Sequence, residues 1–256
     1  MVDVTAEAPA AADSFAIGDT LGRSLAIYGR RFGAFVLLSG LFTLPYLVAT
    51  LASDHPVTIT ARSGLAANGL MSYRHIWPYL FILLQSLATA TVIAGAFEQV
   101  KGAPWGAVDG VHIAAGRIGP IVGVNILQTL AITVGTALLI VPGLILMTLF
   151  YVALPICIVE RQDMFFSMNR SVTLTQGHRW KIFGVALVLG FLSLVVGLAA
   201  KQMAYRFGGV VAFSIVDYLV QVLYLPFAAI VATVVYQALR TAKEGPAVGT
   251  LAEVFA

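Results

Sequence analysis

The sequence predicts an all-α integral membrane protein with six transmembrane helices, and three observations carry that prediction. Hydrophobic residues make up 59% of the 256 and charged residues 11%. A soluble domain runs at about 45–50% apolar and about 25% charged. The mean hydropathy is +0.92. Six apolar runs each approach the ~20 residues that a helix needs to cross a hydrocarbon core. A chain so poor in charge could not cover a water-soluble surface, which excludes ordinary soluble enzymes. Disordered chains, which need high charge and few apolar residues, are excluded too.

In chain order, the first span is expected from Gly33 to Ala52, with Pro45 inside it. The second runs from Ile76 to Phe97, with Trp77 and Tyr79 as interfacial aromatics. The third covers Pro120 to Val141 and the fourth Pro142 to Val159, so the Val141-Pro142-Gly143 corner makes a tight helical hairpin. The fifth runs from Ile182 to Ala199 and the sixth from about Asp217 to Leu239, with Pro226 inside it. Residues 1–13 read as a disordered tail without the basic n-region of a secretory signal, and 246–256 as a short C-terminal tail. The membrane domain is expected to cover 14–245.

The balance of 15 Lys and Arg against 12 Asp and Glu gives a net charge of +3. Basic clusters interleaved with aromatics on a soluble module are missing, so no nucleic-acid partner is expected. The excess fits membrane topology instead. With six spans, eleven of the fifteen cations fall on the side of the termini and four, Arg62, Arg74, Lys201 and Arg206, on the other. Positive residues stay inside, which predicts a multi-pass protein of the bacterial inner membrane with both termini cytoplasmic. The single cysteine, Cys157, sits in an apolar run and has no disulfide partner.

The stretches before spans one, three and five read as cytoplasmic amphipathic helices lying at the interface. Their expected apolar stripes are Ile17, Leu21, Leu25, Tyr28 and Phe32; then, after Pro104, Trp105, Val108, Val111, Ala115 and Ile118; then, after an Asp163 N-cap, Phe165, Met168 and Val172. Each enters its span through a glycine-basic phrase: Gly29-Arg30-Arg31-Phe32-Gly33, Gly116-Arg117-Ile118-Gly119 and Gly177-His178-Arg179-Trp180-Lys181. The order of surface helix, corner and membrane hairpin therefore reads as a threefold internal repeat, at about 14–98, 99–160 and 161–240.

Several phrases resemble one bacterial family. They are Val141-Pro142-Gly143, Ala153-Leu154-Pro155, Val159-Glu160-Arg161, Asn169-Arg170-Ser171, Thr175 to Trp180 and Thr233 to Arg240. Together with Phe15 to Asp19 and Tyr28 to Phe32, they are similar to the membrane domain of glycerophosphoryl diester phosphodiesterases, close to the YciC-like inner-membrane proteins. The likeness covers about 14–245. In fused members of that family hydrolysis belongs to a separate soluble barrel. Such a barrel needs roughly 250 residues and is not expected in the sixteen residues after Arg240, so the resemblance implies no enzymatic activity for this chain.

Two groups of residues are candidates for function. At the cytoplasmic face, Glu160 closes span four beside the basic residues Arg30, Arg31, Arg117, Arg170, Arg179 and Arg240, with Ser171 and Trp180. This set would bind anionic lipid headgroups or dock a membrane-protein partner or a second copy. Alternatively, Glu160 pairs with Arg170 or Arg240 and locks the third surface helix to the bundle. Inside the membrane, Asn125, Gln128 and Thr129 on span three and Asp217, Gln221 and Tyr224 on span six are a candidate polar lining, or simply hydrogen-bond between helices. The leading expectation is a non-enzymatic, lipid-associated or partner-docking protein; its rival is a small transporter with spans three and six along the route. Four scattered histidines without a His-x-x-x-His pair predict no metal site, and no cofactor is expected.

Overall fold

The computed structural model describes residues 16–52, 76–102 and 106–245. The expected tails, the 53–75 segment with Arg62 and Arg74, and Pro104 and Trp105 lie outside the described residues. Within them the chain is helical, with no strand. The helices are α1 (Ile17–Arg30), α2 (Phe32–Ala52), α3 (Ile76–Val100), α4 (Ala107–Ala115), α5 (Ile118–Leu138), α6 (Ile140–Leu149), α7 (Ala153–Val159) and α8 (Met164–Thr175). A helical run from Arg179 to Glu244 is divided by non-helical Gly209 into α9 (Arg179–Gly209) and α10 (Val211–Glu244). Among the described residues, six helical segments are long and apolar enough to cross a membrane: α2, α3, α5, α6 with α7, α9 and α10. This is the architecture of a multi-pass membrane protein.

Backbone chemistry explains where the spans turn and break. The turn between spans three and four falls at Leu139, whose extended backbone (φ −160°, ψ 145°) separates α5 from α6, not at the Val141-Pro142-Gly143 corner. Pro142 instead sits in the first turn of α6, where a missing N–H costs nothing. Span four is not one helix. It breaks between Leu149 and Ala153, because Pro155 in the first turn of α7 has no N–H for the Tyr151 carbonyl and its ring crowds that residue.

Spans five and six run well past the expected boundaries at Ala199 and Asp217. The intervening stretch is not a loop; it continues both helices as far as Gly209. There φ 63° and ψ −150° reverse the chain, as the cross-contacts show: Tyr224 Oη lies 3.5 Å from the Leu189 carbonyl and the Tyr205 and Phe213 rings meet at 6.5 Å. That backbone region is essentially reserved for glycine. A Gly209→Ala change is expected to cost about 1–3 kcal/mol, read as a lower unfolding midpoint in detergent; an unchanged midpoint would show that the turn tolerates a side chain.

In α7 every residue from Ala153 to Ile158 is buried and only Val159 is half-buried, so this helix forms the centre on which α3, α5, α8 and α10 pack. The expected stripes of the three short helices face the bundle in part: Ile17, Leu21, Tyr28, Val111 and Met168 pack on the core, and other stripe residues face outward. In α1 the buried residues are Thr20, Ser24, Ile27 and Tyr28, while Leu25 and Phe32 point outward. The side chain of Ile17 reaches Gly184, and Tyr28 donates to the Leu223 carbonyl at 3.0 Å. α1 thus lies along α9 and α10. In α4 Gly110 and Ala114 are buried and Val108 is exposed. In α8 the inner face is Ser167, Ser171, Leu174 and Thr175, with Phe165 exposed. Asp163 occupies the N-cap position without a side-chain cap bond; its carbonyl accepts from the Ser167 hydroxyl at 2.7 Å.

Candidate functional site

Glu160 ends α7 and stands where α8 and the last turns of α10 converge. Its carboxylate accepts the Tyr236 hydroxyl at 3.0 Å and lies 3.3 Å from Arg170 Nε. Arg170 also pairs with Glu244, which holds Arg240 at 3.1 Å. Lys243 donates to the Thr173 carbonyl. The Glu160 side chain is only 14% exposed, so its charge is compensated within the protein, as a buried charge must be. Burial would push the Arg170 guanidinium down, but the neighbouring Glu160 and Glu244 carboxylates prevail and hold it above the usual arginine value. The structure therefore favours the locking alternative for Glu160, with both Arg170 and, through Glu244, Arg240 engaged.

Other members of the expected interface separate into two groups. Ser171 is buried and donates to the Leu149 carbonyl at 2.7 Å, across the break in span four, so it is out of reach of headgroups. Arg117 is half-buried and donates to the Gln162 carbonyl at 3.3 Å, bracing the α7–α8 turn. By contrast Arg30, Arg31, Arg179 and Trp180 are exposed, Trp180 at 86%. Arg30 and Arg179 have no ion pair among the described residues.

Comparison with protein-family models, with curated proteins and with solved structures gives no match. Every functional assignment for this chain therefore rests on its own geometry.

That geometry adds a residue absent from the expected set. Arg161 has φ 54°, the left-handed region that costs an L-residue about 1–2 kcal/mol. It sits just past the end of α7, where glycine is the usual occupant, and its side chain is exposed. The sequence signal was its place directly after Glu160. Among the described residues no three His, Cys, Asp or Glu gather as metal ligands.

The intramembrane polar residues fall into separate clusters. Asn125 donates to Ser86 of α3 at 3.0 Å, Gln128 is half-buried, and Thr129 faces outward. Asp217 is buried and pairs with Lys201 of α9 at 2.5 Å, with the Gln221 amide at 3.0 Å and the Tyr46 hydroxyl of α2 at 3.3 Å. Tyr224 approaches the Leu189 carbonyl. The α5 group is tied to α3 and the α10 group to α2 and α9, so they share no partner. Lys201 and Tyr46 were missed in the sequence because their partner lies 16 and 171 residues away.

Proposed function

We propose that this chain is a non-enzymatic protein of the bacterial inner membrane, with both termini cytoplasmic, that associates with anionic lipid at its cytoplasmic face. The supporting observation is the sorting of cations at the Glu160 end of the bundle. Arg170 and Arg240 are neutralised by carboxylates, whereas Arg161 and Arg179 are exposed and carry no ion pair among the described residues. Arg161 also occupies a backbone position that glycine would fill at lower cost, which favours a role for its charge. Beside Arg179, Trp180 has the amphipathic ring that settles at headgroup level. In this reading α1, α4 and α8 are the membrane-proximal members of three repeated units, each preceding a helical pair. The eleven-to-four division of cations supports the orientation.

A basic residue near an anionic leaflet contributes about 1 kcal/mol. The double change Arg161→Gln and Arg179→Gln is therefore expected to lower the preference for phosphatidylglycerol over phosphatidylcholine by about 2 kcal/mol at most, with an unaltered unfolding midpoint. Native mass spectrometry of the protein released from mixed nanodiscs measures that preference. Equal retention of both lipids by the unaltered protein, or a preference untouched by the double change, would remove the proposal.

A further inference from the structure

Two polar clamps grip α10 from opposite ends, and each joins a carboxylate to a tyrosine hydroxyl and a cation: Glu160 with Tyr236 and Arg170, Asp217 with Tyr46 and Lys201. Asp217 and Tyr236 are nineteen residues apart on α10, about 28 Å at 1.5 Å per residue. On α9, Lys181 and Lys201 are twenty residues apart, about 30 Å by the same rise. Both spacings equal the thickness of a hydrocarbon core, about 30 Å. With the clamps taken as its two boundaries, Phe191, midway between the two lysines and 65% exposed, falls at its centre.

Beyond Lys201 the hairpin continues for about two more turns of α9 before Gly209 reverses it. This tip carries Met203, Tyr205, Phe207 and Val211, exposed at 61%, 56%, 83% and 59%, together with exposed Arg206, which has no ion pair among the described residues. An apolar protrusion of this kind is costly in water. Yet α9, with 31 residues, is about 46 Å long, and a bilayer with both headgroup layers is about 40–45 Å thick. Tyrosine beside apolar and basic side chains is the composition of an interfacial belt.

We infer that the α9–α10 tip is a lipid-binding surface seated in the headgroup layer of the leaflet opposite the Glu160 end, with Phe207 and Tyr205 among the upper acyl chains and Arg206 on phosphate. The inference rests on the reading of α9 as a membrane span, and the test separates the two. Cys157 is buried, so Phe207→Cys and Phe191→Cys each offer one accessible thiol for a nitroxide label; both sites are exposed, and neither change disturbs packing.

In phospholipid bilayers, collision with a water-soluble nickel chelate is expected to be severalfold greater at 207 than at 191, yet severalfold below that of a free nitroxide in water. Collision with oxygen should be greatest at 191. Water-like exposure at 207 would overturn the inference in favour of a tip standing in solvent. Protection from both relaxants would overturn it in favour of a protein contact, and values equal to those at 191 would place the tip in hydrocarbon. Free access of the chelate at 191 would instead defeat the reading of α9 as a span.

Discussion

Replacing Glu160 with alanine is expected to destabilise the protein by about 3 kcal/mol, the lower end of the range for removing one partner of a buried ion pair. The lower end applies because Arg170 keeps 28% of its side chain exposed and retains Glu244. Three connections are lost together: the Arg170 pair, the acceptor for Tyr236 and the tie between α7, α8 and α10. Glu160→Gln keeps an acceptor for the Tyr236 hydroxyl but drops the charge, and should fall between the two. Unfolding midpoints in detergent, with limited proteolysis between α7 and α8, measure both. A Glu160→Ala protein within about 0.5 kcal/mol of the original, the range of ordinary surface changes, would show that the network is incidental to the fold.

The second large effect is expected at Gly143. Here α6 approaches α5 so closely that a Cβ would stand 2.8 Å from the backbone N and Cα of Thr136. Gly135, on the facing helix, would place a Cβ 3.2 Å from the Gly143 backbone. Backbone atoms cannot rotate aside, so Gly143→Val must push the helices apart. Overpacking costs about 1–3 kcal/mol and occasionally more, and this site belongs at the top of that range. Gly119, whose added Cβ would meet nothing within 4 Å, supplies the control. Gly119→Val should leave the midpoint nearly unaltered, and equal losses at both positions would point to a general effect of β-branched residues in α5 and α6.

The spans were legible in the sequence because crossing lipid imposes a length and a composition that few other constraints can mask. Turn positions were harder. Pro142 looked like a corner, but the first turn of a helix accepts proline, and only the extended backbone at Leu139 reveals the break. The stretch between Ala199 and Asp217 looked like a loop because it carries Lys201 and Arg206, whereas Lys201 is compensated across the hairpin by Asp217. The candidate site was partly legible: Glu160 and Arg170 are ten residues apart and their pairing was anticipated. Tyr236 and Glu244, 76 and 74 residues from their partners, could not be reached by any local pattern. The apolar stripes of the short helices mark the inner face only in part, with Ile17, Leu21, Tyr28, Val111 and Met168 on the core. Lipid accepts Leu25 and Phe165 on the outside, while Thr20, Ser24 and Ser171 can be buried because their hydroxyls bond to backbone carbonyls, so hydrophobicity no longer tells inside from outside.

The hydroxyl of Tyr28 bonds to a carbonyl 195 residues later. During synthesis, at about 5–20 residues per second, the groove that receives α1 does not exist until α9 and α10 have been made. The first helix must wait many seconds in an unfinished state, and its docking can only follow the synthesis of α10.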